Sequence, residues 1–157
     1  MANGDFPDLF SELLFEMTLQ VAPATAVGAT PSGKRYIAYV TGGTFEGPRL
    51  KGRVLPGGGD WVIQRPDHVF QLDVRITLET DEGAMIYSTY RGARHGSREV
   101  MRRIASGQSV QADEYYFRIT PYFETGSEKY GWLGGIVSVG IGQDRPGGVT
   151  YRVYQII

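Results

Sequence analysis

The sequence predicts an all-β protein: an antiparallel, up-and-down β-barrel of roughly eight to ten strands with one short helix, in a single domain over residues 1–157. Three observations carry that prediction. Apolar and polar residues alternate at period two through most of the chain, which is the pattern of half-buried strands. Turn signals recur about every 8–12 residues, the spacing of sandwiches and barrels. One stretch alone reads as helix, too little for the crossover connections of a parallel sheet. Closing the sheet on itself then removes its exposed edges.

The elements follow in order. Phe15–Ala22 sets Phe15, Met17, Leu19 and Val21 against Glu16, Thr18 and Gln20, and a Pro-Ser-Gly-Lys turn leads into the strand YIAYVTG. Next comes the glycine-dense stretch Thr41–Asp67, TGGTFEGPRLKGRVLPGGGDWVIQRPD. Glycine loses more backbone entropy on folding than any other residue, so such density needs a geometric reason. Thr41–Gly47 is expected to bend a barrel strand, and Gly57–Gly59 to turn the chain so that Asp60 and Trp61 face the barrel mouth.

Phe70–Thr80 has the cleanest alternation. Phe70, Leu72, Val74, Ile76 and Leu78 lie on one face, and Gln71, Asp73, Arg75, Thr77 and Glu79 on the other. The following Asp81-Glu82-Gly83 suits a three-residue hairpin loop with Gly83 in the left-handed region. That loop pairs Thr80 with Ala84, Leu78 with Ile86 and Val74 with Tyr90; on the polar face it pairs Thr77 with Tyr87, Arg75 with Thr89 and Asp73 with Arg91. SREVMRRIASG is the helix, with Ser97 as N-cap, a narrow stripe of Val100, Met101 and Ile104, and Gly107 as the stop. EYYFRITPYFE, WLGGIVSVGIG and VTYRVYQII supply the remaining strands.

These segments also carry a resemblance. TGGTFEGPRLKGRVLPGGGDW, LDVRITLETDEGAMIY, YYFRITPYFETGSEKYGWL and the terminal TYRVYQI resemble domain-of-unknown-function family 3237 from about Leu14 to the C-terminus. The resemblance implies an all-β fold and leaves the reaction open. TGGTFEGPRLKG is also similar to a strand segment of the allene oxide cyclase and dirigent barrels, which enclose hydrophobic small molecules and work without a cofactor. Two positions depart from the family pattern. Asp67-His68 stands where the family usually has Asp-Gly, and Trp132-Leu133-Gly134 where it usually has Trp-Leu-Asn.

Composition excludes several function classes. Hydrophobic residues make up 41% and charged residues 21% of the 157, an ordinary globular balance. A chain of this length buries about two-thirds of its unfolded surface, enough to fold without a disulfide or metal. The absence of cysteine excludes thiolate catalysis, iron–sulfur clusters and thiolate zinc sites, and points to a reducing cytoplasm. A net charge of −1 supplies no field for nucleic acid, and the arginine-rich run Arg91–Arg103 reads as a solvated helix face. MANGDFPDLF is no secretory signal, and no run approaches the roughly 20 apolar residues of a bilayer span. The expected partners are therefore a small molecule and, from the apolar VYQII end and the surface aromatics, a second copy of the chain in a homodimer.

Known catalytic motifs are missing. GGGD is not a phosphate loop, since no Gly-Lys-Ser/Thr follows it, and there is no G-x-S-x-G elbow. His68 and His95 are the two histidines, too few for a multi-histidine metal site. No metal and no cofactor are expected. What remains are carboxylates, arginines and phenols on strands. A desolvated carboxylate serves as acid or base, a phenol donates to a carbonyl or enolate oxygen, and an arginine holds a carboxylate ionised.

Asp60, flanked by glycines and Trp61, is the expected proton-transfer residue, although an Asx-type turn bond explains its position equally well. Arg75 is its expected electrostatic partner, and Tyr87 and Tyr116 the oxyanion donors. Trp61, Asp73, Tyr90, Arg118 and Trp132 are expected to line the ligand site. This geometry requires the polar row of Phe70–Thr80 to face the lumen. The competing assignment is structural: Asp73 paired with Arg91 across the ladder, most tyrosines serving as packing, and Trp132 in the core or an interface. Three functions fit: a cofactor-independent lyase, isomerase, cyclase or hydratase acting on a small apolar carbonyl compound; a non-catalytic carrier or sensor of such compounds; or a structural protein whose lumen is packed core.

Overall fold

A computed structural model describes residues 4–157. Eleven strands form one sheet: β1 (Ser11–Val21), β2 (Thr25–Thr30), β3 (Gly33–Glu46), β4 (Lys51–Val54), β5 (Gly59–Asp60), β6 (Ile63–Gln64), β7 (Phe70–Thr80), β8 (Met85–His95), β9 (Tyr116–Thr125), β10 (Ser138–Arg145) and β11 (Gly148–Ile156). The helix α1 (Arg98–Ala105) lies between β8 and β9. Around the barrel the order is β1, β11, β10, β9, β8, β7, then the three short strands β4, β5 and β6 sharing one position, then β3, which closes the ring on β1. That makes eight antiparallel positions, with β2 an outlying strand paired to β3.

The local chemistry explains the path. The β7–β8 hairpin has the register its turn residues dictate, Leu78 opposite Ile86, Val74 opposite Tyr90 and Asp73 opposite Arg91. Gly83 turns at φ +88°, and the Gly83 N–H donates to the Thr80 carbonyl at 2.8 Å. Gly43 sits at φ +150°, and a Cβ there would lie 2.1 Å from the Thr18 carbonyl oxygen. No other residue lets β3 pass so close to β1. The Ser97 hydroxyl accepts from the Val100 N–H at 3.2 Å and caps α1, whose Val100, Met101 and Ile104 pack on the core.

The interior has two halves. At one end Phe15, Phe45 and Phe123 meet edge to face, with ring centroids 5.6 and 5.9 Å apart. Leu133, on the short 3-10 turn Gly131–Gly135, is buried in the same core. Toward the other end the barrel opens into a cavity.

One expectation is corrected here. In β7 the apolar row faces inward: Leu72, Val74, Ile76 and Leu78 are buried, while Arg75 is exposed. The polar row is therefore outside, and Asp73, Arg75 and Thr77 share no cavity with Tyr87. Burying that row would desolvate an Asp–Arg pair at a cost its mutual attraction rarely repays, whereas burying the apolar row gains about 1.5–3 kcal/mol per large side chain.

Candidate functional site

The cavity has a volume of about 590 Å³, within the roughly 300–1,000 Å³ range of small-molecule sites. Its walls are mostly apolar, contributed by Leu19, Val40, Phe70, Leu72 and Val74 among others, and the Ala22-Pro23-Ala24 segment also lines it. The polar side chains that reach it are few: Asp60, Arg94, Asp144 and the phenols Tyr36, Tyr90 and Tyr151.

Asp60 arrives there through strand geometry. It is paired with Val74, and Val74 with Tyr90, so the three occupy one cross-strand row of the inner wall. A Cβ at Gly58 would come within 2.4 Å of the Arg75 carbonyl, so glycine lets the chain press against β7 just before Asp60. Asp60 Oδ1 accepts the Asp73 N–H at 3.0 Å. Burial pushes its carboxyl from the usual 3.8 up to about 6, against the opposing pull of that hydrogen bond and of the Arg94 guanidinium. A carboxyl that titrates near neutrality in an apolar cavity can both take and return a proton.

Arg94 and Asp144 form the second polar group. Arg94 Nη1 donates to Asp144 Oδ1 at 2.6 Å, and the guanidinium lies over Phe70 and Phe117, 4.6 and 5.7 Å from their centroids. The Tyr115 hydroxyl donates to Asp144 Oδ2 at 2.9 Å and accepts the Asp144 N–H at 2.7 Å. Burial pushes the Tyr115 phenol up to about 12, so it stays protonated as the donor. Tyr90 and Tyr151 meet edge to face at 5.5 Å, and burial raises both phenols far above their ordinary value. The Tyr151 hydroxyl is close enough to affect the ionisation of Tyr90. Apart from that neighbouring phenol, Tyr90 Oη has no polar partner.

Of the nine residues singled out from sequence, the structure brings Asp60 and Tyr90 into the cavity and leaves seven outside. Arg75 and Trp61 stack on the outer face, the guanidinium 5.7 Å from the indole centroid. Trp61 is held there by Arg35 Nη1, which donates to its carbonyl at 2.6 Å. Tyr87 is exposed opposite Thr77. Tyr116 is exposed against His95 and beneath Arg118. Asp73 contributes its backbone N–H, while its side chain sits in the outer row opposite Arg91. Trp132 belongs to the closed end, with Arg49 3.6 Å over its ring. Sequence reasoning missed Arg94, Asp144, Tyr115 and Tyr151. The hairpin register carried a signal for the first: continued four residues past Val74–Tyr90, it sets Arg94 opposite Phe70 on the apolar face.

Residues 11–156 match the family described as "Protein of unknown function (DUF3237)". The chain belongs to the DUF3237 family. A UPF0311 protein of Rhodopseudomonas palustris is 34% identical over 151 residues, which are 96% of this chain and 99% of the relative. The crystal structure of that conserved protein of unknown function superposes with a TM-score of 0.92 over 97% of this chain and all of its own. A β-barrel-like protein of Acinetobacter baumannii is 41% identical, with a TM-score of 0.85 and coverage of 98% and 99%. The crystal structure of an enzyme from Penicillium herquei has the same barrel fold, at a TM-score of 0.74, 22% identity, and coverage of 98% and 99%. At that identity the likeness is one of fold.

Proposed function

We propose that this DUF3237 barrel is a cofactor-independent enzyme of the lyase or isomerase kind, acting on a small apolar carbonyl compound by proton transfer at Asp60. The observation that supports this reading is the Asp60 carboxyl, raised to about 6, in a 590 Å³ cavity with mostly apolar walls whose other carboxyl, Asp144, is paired with Arg94. In the ionised state Asp60 takes a proton from the carbon beside the carbonyl. The electron pair of that C–H bond moves into the new C–C double bond, and the carbonyl electrons move onto oxygen. Asp60, now neutral, returns the proton to the same carbon, or to another atom of the rearranged skeleton. The apolar walls hold the substrate body and keep bulk water from the enolate. The crystallised Penicillium herquei protein of the same fold is called an enzyme, which agrees with a catalytic use of the fold.

The test is proton exchange. Methyl β-naphthyl ketone is incubated in deuterated buffer with the protein, and loss of its methyl proton signal is followed by NMR. The wild-type chain is expected to exchange these protons well above the buffer rate, and Asp60→Asn to fall to the buffer rate. Binding without exchange would instead favour the carrier or sensor, which the apolar lining alone would serve.

A further inference from the structure

Among the described residues, two buried side-chain polar atoms have no hydrogen-bond partner: Tyr90 Oη and Arg94 Nε. Both residues line the cavity. Buried polar groups are nearly always paired, so two orphans on one cavity wall need an explanation. Core packing does not supply one. Tyr90 is 2% exposed, and the one polar group that reaches its hydroxyl is the phenol of Tyr151, itself a cavity residue. Arg94 spends one of its five N–H donors on Asp144. The Tyr115 hydroxyl in turn fixes Asp144 through two hydrogen bonds, which orients the carboxylate that holds the guanidinium.

We propose that Tyr90 and Arg94 form a binding subsite for a single acceptor oxygen, and that the ligand it takes is a neutral, apolar ring compound bearing one carbonyl group. The proposal rests on the reading of the cavity as a carbonyl site and adds the residues and the selectivity. Arginine can only donate, so the missing partner must accept. A phenolic O–H donates to the same atom by rotating about its C–O bond. The charge balance selects against anions. Asp144 already neutralises the Arg94 guanidinium, so among the lining side chains an ionised Asp60 is the one unpaired charge, with Arg35 acting on it from outside the lining. A carboxylate ligand would meet like charge in a desolvated cavity, whereas a ketone meets two donors. Tyr90 and Asp60 occupy one cross-strand row, so a carbonyl oxygen at Tyr90 sets its neighbouring carbon toward Asp60.

Three probes with one skeleton test this: naphthalene, methyl β-naphthyl ketone and β-naphthoate, titrated calorimetrically into the whole chain at about pH 8, where Asp60 is ionised. The ketone is expected to bind about tenfold tighter than naphthalene, the return of one or two well-placed hydrogen bonds, and tighter than the naphthoate by at least as much. Its carbonyl stretch should shift to lower frequency on binding. Tyr90→Phe should cut the ketone preference several-fold and shrink the infrared shift, with naphthalene affinity unchanged. Arg94→Lys, which keeps the charge opposite Asp144, should lose part of the preference. Equal binding of ketone and naphthalene, tighter binding of the naphthoate, no binding of any probe, or a Tyr90→Phe variant with preference and infrared shift intact would each overturn the proposal. Selective ketone binding with no methyl proton exchange would leave the subsite standing and defeat the proton-transfer reading instead.

Discussion

Replacing Asp60 by asparagine should make the protein more stable, by an amount that depends on pH. The carboxyl is pushed from 3.8 to about 6 chiefly by burial, so the folded state holds its proton more tightly than the unfolded state does. Below pH 3.8 both states are neutral at this position and no penalty exists. As pH rises from 3.8 to about 6 the unfolded chain ionises first, and stability falls. Above 6 the full penalty applies. At about 1.36 kcal/mol per pH unit, that span corresponds to about 3 kcal/mol. Asparagine keeps an oxygen for the Asp73 N–H and carries no charge. Asp60→Asn is therefore expected to gain up to about 3 kcal/mol at pH 8 and only about 0.5 kcal/mol at pH 4. For a chain of this length that gain raises Tm by about 6–12 °C. Urea unfolding of both proteins at the two pH values is the assay. A variant no more stable than wild type at pH 8, or a gain independent of pH, would refute the reasoning. The expected direction, stability gained where activity is lost, is common at sites that hold strained or desolvated groups.

Three further predictions concern the scaffold. His68 is the one non-glycine residue with positive φ among the described residues, at +68°, so His68→Gly should stabilise the fold by about 1 kcal/mol in urea unfolding. Ser97→Ala should cost about 1 kcal/mol by removing the α1 cap, read in the same assay. On the outer face Leu13 is paired with Tyr154 and Tyr154 with Val139, and Leu13 and Val139 are both exposed. We expect a second copy to cover this apolar row. Sedimentation should show a dimer for the wild-type chain and a 17.4 kDa monomer for Leu13→Glu, and a wild-type monomer would count against the interface.

Local rules carried the reading of the barrel a long way. The turn Asp81-Glu82-Gly83 was enough to set the β7–β8 register, and Ser97 and Gly107 bracketed α1. Alternation shows which residues share a face and not which face turns inward. For β7 the cost of desolvating Asp73 and Arg75 decides which face turns inward. The departure at Asp67-His68 also gains a physical meaning, since the position adopts the left-handed conformation that glycine occupies without strain. A bulge between Leu13 and Phe15 in β1 turns Leu13 outward and buries both Leu14 and Phe15, a change no period-two count reveals. Of the residues that line the candidate cavity, only Asp60 and Tyr90 stood out in the sequence. Asp144 follows glycines in a strand that reads as turn-prone, and its partners Arg94 and Tyr115 lie 50 and 29 residues away in sequence. Such contacts exist only after the barrel closes. Arg94 itself was within reach of the hairpin register, as an arginine set in an apolar row.

Proton transfer at Asp60 requires that its carboxyl hold a proton near neutrality inside the cavity. The direct measurement is a ¹³C NMR titration of the side-chain carboxyls, with Asp60 assigned by its absence from Asp60→Asn. A midpoint near 6 is the predicted result. A midpoint near 3.8, the ordinary value of a solvated aspartate, would contradict it, because a carboxylate so weakly basic would be a poor acceptor for the proton of a carbon acid.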